Sequence, residues 1–378
     1  MASNSKPGAA ASRRPDLPGQ VVLVLQGGGA LGAYQVGVYQ ALHEAGIEPD
    51  WVIGTSIGAI NGAIIAGNRA VERLARLDKF WQSMAQRTPR LPLANAPWLG
   101  NMLINAETLI GGIPGFFAPN PLSALGPQWP VGLERAAYYD TESLRETLAG
   151  LVNFDVLNAR HARLTVGAVN VSSGAMHYFD SREMKLGVEH LMASGALPPA
   201  FPAVRVDGEA YWDGGIYSNT PIEVVFDDRP RRDSLVFAVN MWHARGPEPK
   251  SILQAIERQK DIQYASRADS HIFRQHQLHR LRHIIEELGK HLPEAAKQLP
   301  EVREMLAYGC TTRMRVVRLL APRLPGEDLS KDIDFTPSGI DARRQAGYAD
   351  TSRAICTAPW TTPMHPLEGV TIHDPEHD

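Results

Sequence analysis

The chain has few cysteines, no long apolar run and no excess of charge of either sign. Only two cysteines, Cys310 and Cys356, occur in 378 residues, which excludes a disulfide framework and favours a reducing compartment. Apolar runs such as VVLVL fall far short of the ~18 residues that a membrane-spanning helix needs. A formal net charge of −3 provides no basic field for nucleic acid. We therefore expect a cytoplasmic protein, at most peripheral at a membrane, with no nucleic-acid partner.

The rest of the composition is that of an ordinary globular protein, with 44% hydrophobic and 21% charged residues. The length suits one large domain with additions, or two domains. Residues 1–18 lack the apolar core of a standard secretory signal, so we expect a flexible tail there. Residues 363–378 are polar and contain proline, and we expect them to form a second, loose tail.

Alternating strand and helix patterns at the start of the chain predict an α/β fold. Residues 21–25, VVLVL, are typical of a strand buried on both faces of a parallel sheet. A glycine loop, a helical pattern ending near Gly46, a short strand over 51–53 and a second helical pattern, AINGAIIAGN, follow. This β-loop-α-β-turn-α order indicates a mostly parallel central sheet flanked by helices.

The later chain continues the same style and then becomes helical. Residues 162–171, 235–242 and 313–320 are predicted strands, and 187–197 is a predicted helix. Residues 246–362 form a predicted C-terminal extension, largely helical over 251–308 with one strand after it. The positions of that helical stretch predicted to face inward are Ile252, Ile256, Ile262, Phe273, Leu281, Ile284, Ile285 and Leu288.

Residues 88–135 are irregular, because prolines and glycines are interspersed with large apolar residues. A segment this long without regular structure, inside a domain, is usually functional or mobile. Two interpretations stay open for it. It is either a lid or pocket wall, or an irregular insertion whose aromatic side chains dock on the core.

The glycine loop GGGALG runs from Gly27 through Gly28 and Gly29 to Gly32. Its G-x-G-x-x-G spacing matches a dinucleotide fingerprint, but no acidic residue ends the next strand, as ribose binding requires. A phosphate loop would need a Gly-Lys-Ser/Thr that is absent here. Two uses remain: backbone N–H donors for an oxyanion at a helix N-terminus, or a tight turn for helix packing.

The sequence GTSIG places Ser56 between Gly54 and Gly58, after an apolar strand and before a helix. G-x-S-x-G in this setting is the nucleophile elbow, whose glycines give room for a strained serine backbone. Since ligands bind at the carboxyl ends of parallel strands, this turn and the glycine loop are predicted to face one crevice.

A nucleophilic serine needs a base, and the sequence offers two kinds. His243, after a predicted strand, is the best-placed histidine for a triad, with His177 and His190 as further options. The other kind of base is a carboxylate, Asp213, which is followed by Gly214 and Gly215 and would accept the serine proton directly. The alternative is that Asp213 belongs to an ordinary Asp-Gly turn. A third pair, His279 and His283, has the spacing of metal ligands but lacks an H-E-x-x-H motif, so no metal is expected.

Three motifs occur in order: GGGALG, GTSIG and DGG. Together with their flanks they resemble the motifs of the patatin-like phospholipases; the flanks are VIGTSIGAINGAIIAGN and MASGALPPAFPAVRVDGEAYWDGGIYSNTPIEVV. The resemblance covers roughly residues 20–245, about two thirds of the chain, and predicts a catalytic domain over 19–245. The part beyond it is similar to the C-terminal extension of a bacterial subgroup. The family's fold is a three-layer sandwich around a parallel sheet.

The resemblance implies a Ser–Asp dyad hydrolase of acyl esters of lipids, without cofactor or metal. Ser56 matches the nucleophile, Asp213 the base, and Gly27, Gly28 and Gly29 the oxyanion loop, while Asn219 falls in a structural Asn-x-Pro segment. Many members have Lys or Arg where this chain has Leu31. An esterase for non-lipid or hydroxyacyl esters and a catalytically idle binding scaffold remain alternatives. The oligomeric state is not indicated.

Overall fold

The computed structural model describes residues 17–85, 110–324, 327, 330–365 and 367–374, apart from the side chains of 266–272. Within these ranges the chain alternates strands and helices, which confirms the predicted α/β class. The strands are β1 Gln20–Leu25, β2 Trp51–Thr55, β3 Ala118–Pro119, β4 Tyr139–Asp140, β5 Arg163–Asn170, β6 Met176–Asp180, β7 Val204–Val206, β8 Glu209–Asp213, β9 Ser234–Asn240, β10 Met314–Leu320 and β11 Val370–His373. The helices are α1 Ala33–Glu44, α2 Ile57–Ala66, α3 Ala70–Met84, α4 Glu142–Leu151, α5 Phe154–Asn158, α6 Val188–Ser194, α7 Glu223–Asp227, α8 Ile252–His291, α9 Glu294–Lys297, α10 Pro300–Leu306 and α11 Pro337–Thr357.

One sheet contains nearly all the strands, in the order β11-β10-β9-β1-β2-β5-β8-β7, with β6 pairing with β5 beside this path. The strands from β11 to β5 are parallel, as predicted. The three strands β6, β7 and β8 are antiparallel to their neighbours, and β3 pairs with β4 apart from the main sheet. The sheet is therefore mostly parallel, with an antiparallel edge.

The central strand β1 shows how the sheet becomes the middle layer of a sandwich. Val21, Leu23 and Leu25 belong to a large apolar cluster that includes residues of α1, α2 and α3. Val22 and Val24 belong to a second cluster that includes residues of α7. Because side chains alternate between the faces of a strand, an uninterrupted apolar run buries both faces. Helices cover the two faces, as expected for a three-layer sandwich.

The C-terminal part of the chain shares this sheet and core. β10 pairs with β9, and β11 pairs with β10. The expectation of a loose tail beyond 362 is therefore wrong at 370–373, where Val370 is buried opposite Met314. Helix α11 packs on α1 so closely that a Cβ added to Gly37 would lie 1.9 Å from Arg344 O.

Helix formation over most of 251–308 is confirmed, but the prediction of its inward face is wrong. Ile252 is 81% exposed and Phe273 is 64% exposed, and of the predicted inward residues only Ile284 and Ile285 are half-buried. The buried side chains of α8 include the polar residues Asp261, Gln275, His279 and His283. Two of them dock through specific partners, which a hydrophobic pattern does not reveal: Lys331 Nζ donates to Asp261 Oδ1, and His283 Nε2 bonds to Thr312 O. None of the helices in the described ranges combines the length and apolarity that crossing a membrane requires.

Candidate active site

Ser56 lies in the turn between β2 and α2 with a strained backbone, φ 56° and ψ −126°. The neighbouring glycines make the turn possible, because other backbone atoms lie where their side chains would be. A Cβ on Gly54 would lie 2.3 Å from Gly58 O, and a Cβ on Gly58 would lie 2.2 Å from Leu25 O. The N–H of Ser56 donates to Ser194 Oγ at 3.1 Å. The turn has the geometry expected of a nucleophile elbow.

Gly58→Ala tests this close packing. The added methyl would overlap the Leu25 carbonyl at 2.2 Å, so the chain must shift, and we expect a loss of about 3 kcal/mol or more in unfolding free energy. Gly150→Ala is the matched control, since a Cβ there meets nothing within 4 Å. Urea unfolding measures both variants. Equal stability of the two would show that the elbow is loosely packed.

The strand order brings Asp213 beside Ser56. β6 pairs with residues 165–169 of β5, and these overlap both the residues that pair with β2 (163–167) and those that pair with β8 (168–170). Since a strand has only two edges, β2 and β8 both lie on the edge of β5 opposite to β6. Thr55, at the end of β2, faces Gly167, and Asp213, at the end of β8, faces the next residue, Ala168. The two strands thus meet end to end, and the residue after Thr55 lies next to Asp213.

Asp213 is buried, only 2% exposed, and its Oδ1 accepts the Gly215 N–H at 2.7 Å. Burial raises the pKa of Asp213 to about 7, although the bonds from Gly215 N–H and the Ser56 hydroxyl oppose this shift. Gly214 is required by close approach, because its Cβ would lie 2.5 Å from Gly167 O. The site therefore holds a carboxylate that gains and loses its proton near neutral pH.

The glycine loop lies against the same two residues. Gly27, Gly28 and Gly29 line one cavity with Ser56 and Asp213. The Gly27 N–H donates to Asn219 O at 3.2 Å, so this expected oxyanion donor is already engaged. Among the described residues, no acceptor pairs with the N–H groups of Gly28 and Gly29. Gly32, further along, packs against α2.

The cavity has a volume of about 290 Å³ and a mostly apolar wall. Phe116, Phe117, Phe201 and Phe335 form an aromatic cluster there, with ring centroids 5.4 to 6.0 Å apart. Phe116 and Phe117 belong to the predicted insertion over 88–135, and this part forms a pocket wall. Residues 88–109 of that insertion lie outside the described residues.

Residues that sequence reasoning missed come from the C-terminal part of the chain. Lys260 and Tyr264 of α8, and Asp332, Ile333 and Phe335 before α11, line the cavity. The Lys260 Nζ lies 2.6 Å from Asp332 Oδ2. No motif marks these residues, because they reach the cavity through packing of distant elements. The only available signal is the apolar character of Ile333 and Phe335 in a polar stretch.

Within the described chain, no histidine lines the cavity that contains Ser56. His243 Nε2 bonds to Ala321 O at 2.8 Å, His190 Nδ1 accepts the Gly187 N–H, and the His177 ring lies tilted against that of Phe179, 4.6 Å away. The three candidate triad histidines are therefore placed elsewhere. His279 and His283 find no third ligand, since the described residues contain no group of three metal-binding side chains.

Short stretches of this chain are similar to long eukaryotic proteins. Over 70 residues the chain is 49% identical to "Lysophospholipase nte1" of Aspergillus terreus, covering 16% of this chain and 5% of that protein. Over 61 residues it is 46% identical to the human "Patatin-like phospholipase domain-containing protein 6", covering 16% of this chain and 4% of that protein. The matched stretches are thus a small part of these relatives.

Two solved bacterial structures are similar in outline. VipD from Legionella pneumophila has a TM-score of 0.40 and 16% identity, over 90% of this chain and 67% of that one. The type III effector ExoU has a TM-score of 0.35 and 15% identity, over 90% of this chain and 53% of that one.

Family models match both parts of the chain. The model described as patatin-like phospholipase matches residues 23–226, which is more than half of the chain and contains the glycine loop, Ser56 and Asp213. A second model, described as patatin phospholipase, matches residues 262–367 in the C-terminal part. The chain belongs to the patatin-like phospholipase family.

Proposed function

We propose that the chain is a serine acyl hydrolase that cleaves acyl esters of lipids, with Ser56 as nucleophile and Asp213 as base. The observation that carries this proposal is one apolar cavity that contains both side chains and the N–H groups of Gly28 and Gly29, which have no acceptor in the described part of the chain. Family membership supports it, because the family model contains all of these residues.

The reaction we propose has two halves. Asp213 accepts the Ser56 proton as Oγ bonds to the ester carbonyl carbon, and the N–H groups of Gly28 and Gly29 stabilise the oxyanion. The C–O bond to the alcohol then breaks, and Asp213 returns the proton to the leaving alcohol. In the second half a water molecule gives its proton to Asp213 and attacks the acyl-enzyme. The acid leaves as Ser56 recovers the proton.

The cavity supports a carboxylate as the sole base. A general base works best when its pKa is near the working pH, and burial raises the pKa of Asp213 to about 7. The side chain is held by the Gly215 N–H on the carboxyl end of β8, so it needs no histidine to reach Ser56. Intact Ser56 and Asp213 also argue against an idle scaffold.

The wall of the cavity supports an acyl chain as the bound group. The aromatic cluster of Phe116, Phe117, Phe201 and Phe335 offers apolar contacts and few hydrogen-bonding groups. Such a surface gains free energy with each methylene that it removes from water. This favours a long acyl chain over a short one, which buries fewer methylenes, and over a hydroxylated one, whose hydroxyl would face the aromatic cluster without a partner.

Hydrolysis of an ester series by wild type and Ser56→Ala tests the proposed function. We expect kcat/KM to rise with acyl chain length, fatty acid to be released from phospholipid vesicles, and Ser56→Ala to lose both activities. A preference for short or hydroxyacyl esters would instead support a non-lipid esterase. Equal background from the two proteins would contradict the hydrolase proposal.

We also propose that the first turns of α8 contact the lipid surface. Ile252, Leu253 and Ile256 are 81%, 65% and 46% exposed. Lys260 and Tyr264, one and two turns further along the same helix, line the cavity. An exposed apolar patch beside the cavity suits a bilayer, since insertion there would bring the acyl chain close to Ser56.

The double variant Ile252→Glu/Ile256→Glu tests this contact. Charges on the apolar patch should lower hydrolysis of vesicle lipid by about 10-fold, because burying them in a bilayer is unfavourable. Hydrolysis of a monomeric water-soluble ester should not change. Leu281→Glu/Leu288→Glu is the matched control, since both residues are exposed on the same helix, roughly 40 Å away. A similar loss in both double variants would contradict a specific contact.

A further inference from the structure

The carbonyl of Gly27 accepts two side-chain hydrogen bonds, so both of its lone pairs are engaged. Trp242 Nε1 donates to it at 2.8 Å, and Asn219 Nδ2 donates at 3.1 Å. The indole ring also lies against the next residue, because a Cβ added to Gly28 would be 3.1 Å from Trp242 Nε1. The peptide unit between Gly27 and Gly28 is therefore held in one orientation.

That orientation decides where the Gly28 N–H points. In a trans peptide the C=O and the following N–H are antiparallel and lie in one plane. With the Gly27 carbonyl directed at Trp242 and Asn219, the Gly28 N–H must point to the opposite side of the peptide. Among the described residues it has no acceptor there.

Trp242 is itself fixed, largely by the C-terminal part of the chain. It is 4% exposed, and its ring lies 5.0 Å from that of Tyr264. Lys260 Nζ and Lys331 Nζ lie 5.7 and 5.3 Å from the ring centroid. The backbone N–H of Trp242 donates to Oε1 of the buried Gln26 side chain at 3.1 Å. The indole therefore has little freedom to turn away from the Gly27 carbonyl.

We propose that Trp242 is a positioning residue, which orients the Gly28 N–H toward the oxyanion by holding the Gly27 carbonyl. This gives the C-terminal part of the chain an indirect role in catalysis, since Lys260, Tyr264 and Lys331 pack around the indole. The inference rests on the proposed hydrolase function, because it assigns a task in the acyl-transfer step. The indole lines the cavity, but in this proposal it acts through the Gly27 carbonyl and not on the reacting atoms.

Trp242→Phe tests the proposal, because it removes the indole N–H and keeps an aromatic ring. Removal of an oxyanion donor costs about 10²- to 10³-fold in kcat, and a misoriented donor should cost less, about 10-fold, with KM unchanged. Affinity for a trifluoromethyl ketone, which forms an oxyanion on Ser56, should fall by the same factor. Affinity for the matching long-chain secondary alcohol, which is uncharged and forms no oxyanion, should fall much less, because the aromatic ring that lines the cavity is kept.

Trp51→Phe is the matched control. It also deletes a buried indole hydrogen bond, from Trp51 Nε1 to Thr165 Oγ1 at 2.8 Å, but away from the glycine loop. We expect both variants to lose stability, and only Trp242→Phe to lose ketone affinity. Equal losses of ketone and alcohol affinity in Trp242→Phe, or an unchanged kcat, would overturn the positioning role.

A spectroscopic measurement distinguishes this inference from the proposed function. With isotope labels on glycine nitrogen and glycine carbonyl carbon, carbonyl-to-amide correlation spectra show only Gly-Gly peptides, including Gly27–Gly28. In Trp242→Phe the Gly27 carbonyl and Gly28 amide signals should move, including in a Ser56→Ala background. If Ser56→Ala keeps full hydrolysis while these signals move, the function fails but the hydrogen bond stands. If the signals do not move, the positioning role is wrong whatever the activity.

Discussion

Asp213→Asn should lower kcat about 10³-fold and leave KM nearly unchanged. The amide keeps the shape of the carboxylate and can still accept the Gly215 N–H at Oδ1, which lies 2.7 Å away in the wild type. What it loses is the ability to take the Ser56 proton. Because that proton moves only in the transition state, substrate binding should be preserved. Steady-state hydrolysis of a long-chain ester measures both constants.

His243→Ala is the control that separates a dyad from a triad. His243 bonds to Ala321 O and lines a different cavity from the one that contains Ser56. We expect its kcat to stay within about twofold of wild type, as for a residue outside the site. The dyad would be wrong if Asp213→Asn kept wild-type turnover while His243→Ala abolished it.

The pH dependences of activity and stability should run in opposite directions across neutral pH. Activity needs the carboxylate, so kcat/KM should rise through about pH 7, where Asp213 loses its proton. Stability should fall between about pH 4 and about pH 7, since an ionised carboxylate in this cavity is poorly solvated. One buried group thus links the two properties.

The sign and size of the stability effect follow from linkage. The pKa of Asp213 is raised from its ordinary value of 3.8 to about 7. The folded state therefore binds the proton more tightly than the unfolded state, and this stabilisation is complete below the ordinary value and lost as pH approaches about 7. The full difference corresponds to about 4 kcal/mol.

Asp213→Asn removes this titration and reveals it by comparison. The unfolding free energy of the variant minus that of wild type should grow by about 2–3 kcal/mol between about pH 5 and about pH 8. Urea unfolding at the two pH values, with Gly150→Ala as a surface control, measures the change. A difference in unfolding free energy that stays constant with pH would show that burial does not raise the pKa of the Asp213 carboxyl group.

The sequence was sufficient to predict the parallel strands of the core and the strand-to-helix turn at Ser56. The uninterrupted apolar strands β1 and β9 bury both faces, and the glycines around Ser56 are needed where a Cβ would overlap the backbone. The patterns that predict them are local, because each is read from residues within a few positions along the chain, although the carbonyl that Gly58 approaches belongs to Leu25 in β1. Asp213 is different, since an Asp-Gly-Gly turn is common and gained meaning only through the family resemblance.

Features set by distant contacts could not be predicted. The end-to-end arrangement of β2 and β8 on β5 depends on antiparallel pairing of Ala168 with Asp213, far apart in sequence. The inward face of α8 was wrongly predicted because polar side chains dock it, and β11 was missed because its strand signal is short. The C-terminal residues of the cavity were missed because packing between elements that are distant in sequence brings them there.

The most direct test of the central claim is detection of an acyl-enzyme on Ser56. Wild type is mixed with phospholipid vesicles, quenched in acid within one turnover, digested and analysed by mass spectrometry. We predict that the peptide containing Ser56 gains the mass of one fatty acyl group, and that Ser56→Ala gains none. Fatty acid release by Ser56→Ala at the wild-type rate, with no acyl group on this peptide in either protein, would contradict the account.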